Sequence, residues 1–473
     1  MAAPYRWRGS LSRDAAFQGT LDIPIWHATY PGDPASSCTE PDRMSDDLFD
    51  FSGLHLRPDP SRTVIKPFSV DYPEPFRDAA HPRMRTVIER VLSLGEAVCR
   101  SESETIVASL SERHRNVETM LIRRFEEVRD ALPEGVTADP GQQLLIGAYL
   151  SAEYSFEAAA LFNPSIVLRM NQDDAPADGL NFILSLRGIG EGHISSVTFR
   201  TGSWSASNGF RVDDPSPWVT SPRIEGPDES GTSGTTRIIC EGSEEPSESV
   251  LFPITASQRQ GIEDLRMVRF TEEDGSPSFL GTYTAFDGRN ARCELFHGTG
   301  INTFEMTVLR GSVPTSKGMA LFPRRLDGRF NMIGRQDNEN LWLIASDDIT
   351  IWDGGAKLVG PRYPWEFIQM GNCGSPIELD EGWLVITHGV GMMRNYCMGA
   401  CLLDKADPGK LLARTPEPIL RPSPEERSGY VPNVVYSCGA IVHDRTLLLP
   451  FGVADNFASF ASCSVDDLLR KMS

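Results

Sequence analysis

Two adjacent carboxylates and an arginine stand close together in Gly261-Ile262-Glu263-Asp264-Leu265-Arg266, ahead of the strand-like run Met267-Val268-Arg269-Phe270. These residue types could transfer a proton. A neighbouring arginine lowers a carboxylate's pKa and burial raises it, so an acid held between the two can be poised to donate. On a regular strand successive side chains leave on opposite faces. That predicts Glu263 and Asp264 facing opposite ways, one into a cavity and the other anchoring backbone. The structural alternative is an Asp–Arg pair that merely ties down a strand end. Further polar clusters at the ends of similar short strands favour chemistry.

Three such clusters stand out. Arg187-Gly188-Ile189-Gly190-Glu191-Gly192-His193 is glycine-rich, which lets backbone approach a ligand. It lacks the dinucleotide spacing and no helix follows, so a nucleotide is not expected. Ser316-Lys317-Gly318 and Gly334-Arg335-Gln336-Asp337 flank one hairpin. The paired cations Lys317 and Arg335 in an acidic chain point to a bound phosphate or carboxylate. Thr387-His388-Gly389-Val390 sets a histidine at the end of an apolar strand. Each alone is more often structural; their convergence in one repeat fold carries the weight.

The elements that must position these residues fall into three parts. Residues 1–80 are rich in Pro, Asp and Ser without sustained periodicity and read as an irregular arm. Residues 81–160 read as helical: two apolar stripes between Arg83 and Leu132, the second opened by a capping box at Ser101–Glu104, then a helix over Gln142–Ala160. His114 on the second stripe reads as a packing residue. Residues 161–473 are short strands between turns, with Asp274-Gly275, Asp287-Gly288, Asp327-Gly328 and Glu381-Gly382 before several of them. At roughly 60 residues per repeat this length gives five antiparallel blades. The fold expected is therefore mainly β, a five-bladed β-propeller with an N-terminal α-helical extension; a pair of β-sandwiches is the alternative. Residues 205–250, rich in Pro, Ser, Gly and acids, read as a long decorated loop.

Composition narrows the partners. The 473 residues carry 45 Lys+Arg against 65 Asp+Glu, a net charge of -20. Such a balance repels phosphate backbones and anionic lipid, so no nucleic acid and no membrane partner is expected. No apolar run reaches the roughly 20 residues of a membrane span, and the N-terminus lacks a secretion-signal core. Nine scattered cysteines without a Cys-x-x-Cys pair predict reduced buried thiols, a cytoplasmic location and no metal site.

The segment from Phe162 onward resembles glycoside hydrolase family 130, five-bladed propeller enzymes acting on β-mannosides. The matching pieces run in order. They are Phe162-Asn163-Pro164-Ser165, the Gly261–Arg266 stretch, and Ala320-Leu321-Phe322-Pro323-Arg324-Arg325. Gly371-Asn372-Cys373-Gly374-Ser375-Pro376, Glu381-Gly382-Trp383-Leu384 with Thr387-His388-Gly389-Val390, Gly399–Asp404 and Tyr430–Val435 follow. The helical extension lies outside the resemblance.

The resemblance implies inverting phosphorolysis, with β-mannosidase activity in a minority of members. It puts Asp264 in the place of the general acid, donating to the leaving oxygen through a mannose hydroxyl. Lys317, Arg335 and His388 take the cationic, phosphate-side positions. Asn163, Ser165 and Asp455 take sugar- or phosphate-contacting positions, and Glu263, Arg266 and Asn372 join them in substrate binding. Gln369 stands where many phosphorylases carry a lysine, and Arg187, His193 or Arg200 is a candidate replacement cation. The reading is a β-mannoside oligosaccharide or disaccharide substrate, phosphate as co-substrate, no cofactor and a homo-oligomer. The alternatives are a β-mannosidase whose water is activated by Glu191 or Glu263, and a non-catalytic carbohydrate-binding propeller.

Overall fold

The computed structural model describes residues 48–473 except 75, 78–81, 227–233 and 301. The first 47 residues of the expected arm lie outside the described residues. From Ala160 onward the chain makes five successive antiparallel groups of strands. The first holds Ala160–Leu168, Gly179–Ile189, Ser195–Ser205 and Gly209–Val212. The second holds Gly261–Thr271, Pro277–Phe286, Ala291–Gly298 and Thr303–Val308. Ala320–Leu321, Phe330–Gly334, Leu341–Ser346 and Ala356–Val359 form the third. Gln369–Asn372, Trp383–Val390, Tyr396–Leu403 and Leu411–Arg414 form the fourth. Val435–Tyr436, Thr446–Val453 and Phe457–Ser464 begin the fifth.

The fifth group takes its outer strand from far away in sequence. Asp50–Leu56 pairs antiparallel with Phe457–Ser464. Part of the stretch expected to be irregular is thus an edge strand. Its apolar residues are few because only one face meets the body, and the pairing partner lies at the other end of the chain. A second short strand, Thr63–Pro67, pairs with Ser151–Ser155.

Each group buries apolar residues against the next. Phe199 of the first and Ile262, Leu265 and Tyr283 of the second share one cluster; Phe270 and Leu295 meet Phe330 and Met332 in another. Phe322 and Ile333 pack with Trp383 and Val385, and Ile386 and Met398 with Leu449 and Phe451. The fifth group then packs on the first: Leu448 and Phe460 meet Phe182, Leu184 and Leu186. With both faces covered, central strands read as continuous apolar runs; Trp383–Val390 is buried at every position.

The helical part contains Arg83–Leu92, Glu96–Leu110, Val117–Val128 and Pro140–Tyr149. The second expected stripe is split, because the chain turns at residues 111–116 with Asn116 left-handed at φ 55°. Ser101–Glu104 lies inside a helix; the capping box is at Asp139, whose side chain accepts from Gln142 N while the Gln142 side chain accepts from Asp139 N. The last helix ends at Tyr149, where the chain turns into the Ser151–Ser155 strand, not at Ala160. His114 is buried, 2.8 Å from Glu153. Arg115, in the turn between two of these helices, reaches the buried Glu248 at 2.8 Å, and in the segments flanking the helical part Arg62 and Arg200 converge on buried Glu157 at 2.9 and 2.7 Å. The expected loop at residues 205–250 contains strands, since Thr235–Ile239 extends the second group beside Thr303–Val308. Among the described residues no helix is long and apolar enough to cross a membrane.

Candidate active site

The strand Gly261–Thr271 does not run straight through its carboxylates. Its pairing slips between Glu263 and Arg266, and Asp264 takes a left-handed backbone at φ 53°. The first strand of the first group slips likewise between Phe162 and Ser165, with Asn163 at φ 48°. An extra residue of this kind re-aims side chains, and Asn and Asp enter this backbone region more readily than other non-glycine residues. Here the two bulges aim their side chains at each other: Asn163 Nδ2 donates to Asp264 Oδ1 at 2.7 Å.

The bulge also overturns the expected alternation. Glu263 and Asp264 do not part to opposite faces, for one guanidinium holds both. Arg187 Nη2 donates to Glu263 Oε1 at 2.8 Å and Nη1 to Asp264 Oδ1 at 3.4 Å. Its Nε donates to Ser195 Oγ at 2.7 Å, and that hydroxyl donates to Ile262 O, also at 2.7 Å. Arg187 is thus fixed at every edge of its fork. Lys317 Nζ stands 3.9 Å from Glu263 Oε2.

Charge sorts the two aspartates. Burial lifts the pKa of Asp264, but Arg187, Arg266 and Lys317, with the Asn163 hydrogen bond, outweigh it and bring the carboxyl down to about 2. Asp455, left-handed at φ 50°, is pushed the other way. Burial is the main cause, helped by the negative Asp264 and Glu263 and opposed by Arg187 and Arg394, and it stands at about 6.

The cationic side is built around two glycines. Arg335 packs over Gly318, where an added Cβ would come within 2.9 Å of Arg335 Nε. His388 and Arg335 lie over Gly371, where a Cβ would fall onto the imidazole. Arg335 Nη1 is 3.5 Å from His388 Nε2. Burial, then Arg335 and Arg266, hold the His388 pKa well below its ordinary value. His388 is therefore a neutral imidazole and not one of the cations. Arg335 Nε, Asn372 Oδ1, Ser375 Oγ and Asn163 Oδ1 are buried with no protein partner. Buried polar atoms left open in this way are ready for a ligand.

Two expected contact residues stand behind this surface. Ser165, fully buried, accepts from Met267 N at 3.1 Å and ties the first group to the second. Arg266 donates to the Asp264 carbonyl at 3.1 Å and to Tyr436 OH at 2.7 Å. Arg266 thus holds the backbone of Asp264, and Ser165 holds the strand just beyond it. His193 and Glu191 are exposed at a hairpin tip, His193 beside the Tyr430 ring at 5.9 Å. Arg200 is locked onto Glu157, so of the candidate replacement cations only Arg187 is in contact with the carboxylates.

Three further residues were not singled out from the sequence. Tyr436 holds Arg266 and sets its ring edge-on to His388 at 4.9 Å. Cys373 Sγ lies 3.7 Å from His388 Nδ1. Arg394 acts on Asp455 through space. Cys373 and Tyr436 sit inside or beside quoted motifs, but their types alone carry no chemical signal. Among the described residues no group of three or more His, Cys, Asp or Glu is arranged to hold a metal ion.

Residues 240–473 match the model of a glycoside hydrolase 130 family described as beta-1,4-mannooligosaccharide phosphorylase. The chain is also 33% identical over 219 residues to the 1,2-beta-oligomannan phosphorylase of Thermoanaerobacter sp. (strain X514), covering 45% of this chain and 72% of that protein. The chain belongs to glycoside hydrolase family 130. Another relative, the Beta-1,2-mannobiose phosphorylase of Listeria innocua serovar 6a, is 30% identical over 233 residues, 47% of this chain and 63% of that one. The solved Listeria innocua Beta-1,2-Mannobiose phosphorylase in its beta-1,2-mannobiose complex aligns with a TM-score of 0.46 at 21% identity, covering 67% of this chain and 92% of that one. The family match begins after Asn163 and Arg187. In this family member those two first-group residues close the carboxylate side of a site whose Glu263, Asp264, Lys317, Arg335 and His388 lie inside the match.

Proposed function

We propose that this family 130 chain cleaves β-mannosides by phosphorolysis, with inorganic phosphate as co-substrate and α-mannose 1-phosphate as product. The observation that carries the reading is Lys317 acting on Asp264 beside the His388 that Arg335 contacts, with buried polar atoms left open around them. The relatives' names, all mannoside phosphorylases, support it.

In this mechanism a phosphate oxygen attacks the anomeric carbon while the bond from that carbon to the leaving sugar oxygen breaks. The leaving oxygen takes its proton from a mannose hydroxyl, which is reprotonated by Asp264. With its pKa at about 2, Asp264 is ionised in the free enzyme. Phosphate arriving beside Lys317 offsets part of the positive charge from Arg187, Arg266 and Lys317 that holds it down, so its pKa rises when the co-substrate is bound. Proton donation is thereby coupled to phosphate binding. Arg187 and Asn163 keep the carboxyl aimed, and Lys317 and Arg335 stabilise the charge on the phosphate as it transfers. Hydrolysis is less well served: Glu263 is occupied by Arg187 and Lys317, and Glu191 is exposed at a hairpin tip.

The five strand groups are the blades of a closed propeller, a reading supported by the packing of the fifth on the first. The helices between Arg83 and Tyr149 form its helical extension, and the Asp50–Leu56 strand completes the last blade. A charged sugar phosphate stays inside a cell, which favours a cytoplasmic enzyme; the helical extension favours a homo-oligomer.

The test is release of mannose 1-phosphate from β-1,2- and β-1,4-mannobiose with and without phosphate. Phosphorolysis requires product only when phosphate is present. Turnover to free mannose at the same rate without phosphate would sink the proposal in favour of hydrolysis.

A further inference from the structure

Two adjoining cavities lie away from the carboxylates, between the helical part and the strands. One of about 460 Å³ is lined by Ile65, Lys66, Met120, Arg123, Arg124 and Arg223, among others. The other, about 340 Å³, shares Lys66, Phe252 and Ile254 with it and adds Tyr154, Ile194 and Arg259. Both fall in the range of about 300–1,000 Å³ typical of small-molecule sites. Neither is lined by Asp264, Arg335 or His388.

Their charge is opposite to that of the chain. Among the described residues, five cations and a single carboxylate, Glu127, line the two cavities of a chain with a net charge of -20. Two cations are already used: Arg124 donates to Leu150 O and Glu127, and Arg223 to Glu225 and Glu241. The other three are not. Lys66 Nζ sits 4.0 Å over the Tyr154 ring, and burial pulls its pKa down, against a weaker lift from Glu191. Arg123 makes one long bond to Ser221 O at 3.3 Å. Among the described residues none of Lys66, Arg123 and Arg259 pairs with a carboxylate. Like charges gathered on a partly buried apolar floor repel one another unless an anion joins them.

We infer that this groove is a second ligand site, taking a small phosphate monoester such as a sugar phosphate. Three uncompensated cations match a dianion; a single carboxylate would leave two of them unanswered. The apolar floor of Ile65, Met120, Phe252 and Ile254 covers the uncharged part of the ligand. The site also touches the catalytic machinery through its wall. Tyr154 OH donates to Ile194 O at 3.2 Å, and the next residue, Ser195, holds Arg187. Occupancy therefore bears on the arginine that grips Glu263 and Asp264.

The experiment is calorimetric titration of the full chain with glucose 6-phosphate, with glucose and citrate as controls, and a tungstate soak of its crystals to locate the anion. Glucose 6-phosphate binds and glucose does not, and tungstate appears beside Lys66 and Arg123. Lys66→Met with Arg123→Gln weakens binding by about tenfold or more, from the loss of two charge-assisted hydrogen bonds. Arg259→Gln, at an exposed position that cannot unfold the chain, weakens it by about threefold or more. Tungstate found only beside Lys317 and Arg335 overturns the proposal, as does citrate binding as tightly as glucose 6-phosphate. Should the double variant not fold, unchanged affinity in Arg259→Gln overturns it alone.

Discussion

Asp264 and Asp455 act on one another through space and both feel Arg187, yet their acidities are driven apart, to about 2 and about 6. Asp264 has the nearer cations, while Asp455 has burial and two negative neighbours. The signs give opposite pH dependences. Asp264, depressed in the folded state, contributes stability above its unfolded pKa near 3.8, and this is lost as pH falls toward 2. Asp455, raised in the folded state, binds its proton more tightly folded than unfolded, so stability is lost as pH rises from about 3.8 through about 6. Urea unfolding of the wild type and Asp455→Asn between pH 4 and 7 checks this. The variant is expected to lack the decline, gaining on the order of 2 kcal/mol relative to wild type by pH 7. Parallel curves for the two proteins would show that Asp455 is not strained.

Asp264→Asn keeps the Asn163 hydrogen bond, since an amide oxygen can still accept, but removes the proton donor and the charge that faces three cations. The expected loss in rate is about 10²–10⁴-fold with substrate binding largely kept. Stability falls by about 1.5–3 kcal/mol, from charged hydrogen bonds turned neutral. Steady-state kinetics and denaturant midpoints separate the two effects. A non-catalytic sugar-binding protein would show the second effect without the first.

The carboxylate cluster was legible in the sequence because chemistry shows in residue type: Glu263, Asp264, Lys317 and Arg335 stand out as charges beside strand ends. Their geometry was not legible. A bulge adds one residue to one strand, and nothing in the alternation of Gly261–Thr271 marks where the slip falls until the pairing with Pro277–Phe286 is known. The contact roles expected of Ser165 and Arg266 came from the resemblance, and neither it nor residue type says whether a polar side chain faces a ligand or ties backbone behind it. The resemblance put His388 among the cationic positions, and burial among arginines is what makes it neutral. The strand groups were visible from local turns and apolar runs. The Asp50–Leu56 strand was not, because its pairing depends on a partner some 400 residues away.

Gly371 is the position where backbone makes room for the phosphate side. Gly371→Ala would set a methyl against the His388 ring and within 3.2 Å of Arg335 Cδ. Overpacking there costs about 1–3 kcal/mol, and the side chains that move are the ones proposed to meet phosphate. The KM for phosphate is expected to rise by about tenfold or more, with the KM for the mannoside changed much less. Lys317→Met should act in the same direction. Equal changes in both KM values would place Gly371 in general packing instead.

Arg335 and Cys373 together set which nitrogen of His388 carries the proton. Arg335 Nη1, 3.5 Å from Nε2, can only donate, so Nε2 must be the lone-pair nitrogen and Nδ1 the protonated one. Nδ1–H then points to Cys373 Sγ at 3.7 Å, a thiol that burial pushes up to about 12 and that stays neutral. The imidazole orients Arg335 by accepting from it and carries no charge of its own. Cys373→Ser keeps an acceptor at that point and is expected to retain most activity. Cys373→Val removes it, frees the other tautomer and sets Nε2–H against Arg335, raising the phosphate KM by about tenfold. Nitrogen NMR of labelled His388 reads the tautomer directly. A protonated Nε2 in the wild type, or an unchanged tautomer in Cys373→Val, would remove the role given to this thiol. Neither variant should introduce a histidine limb between pH 5 and 8, since the ring remains neutral across that range.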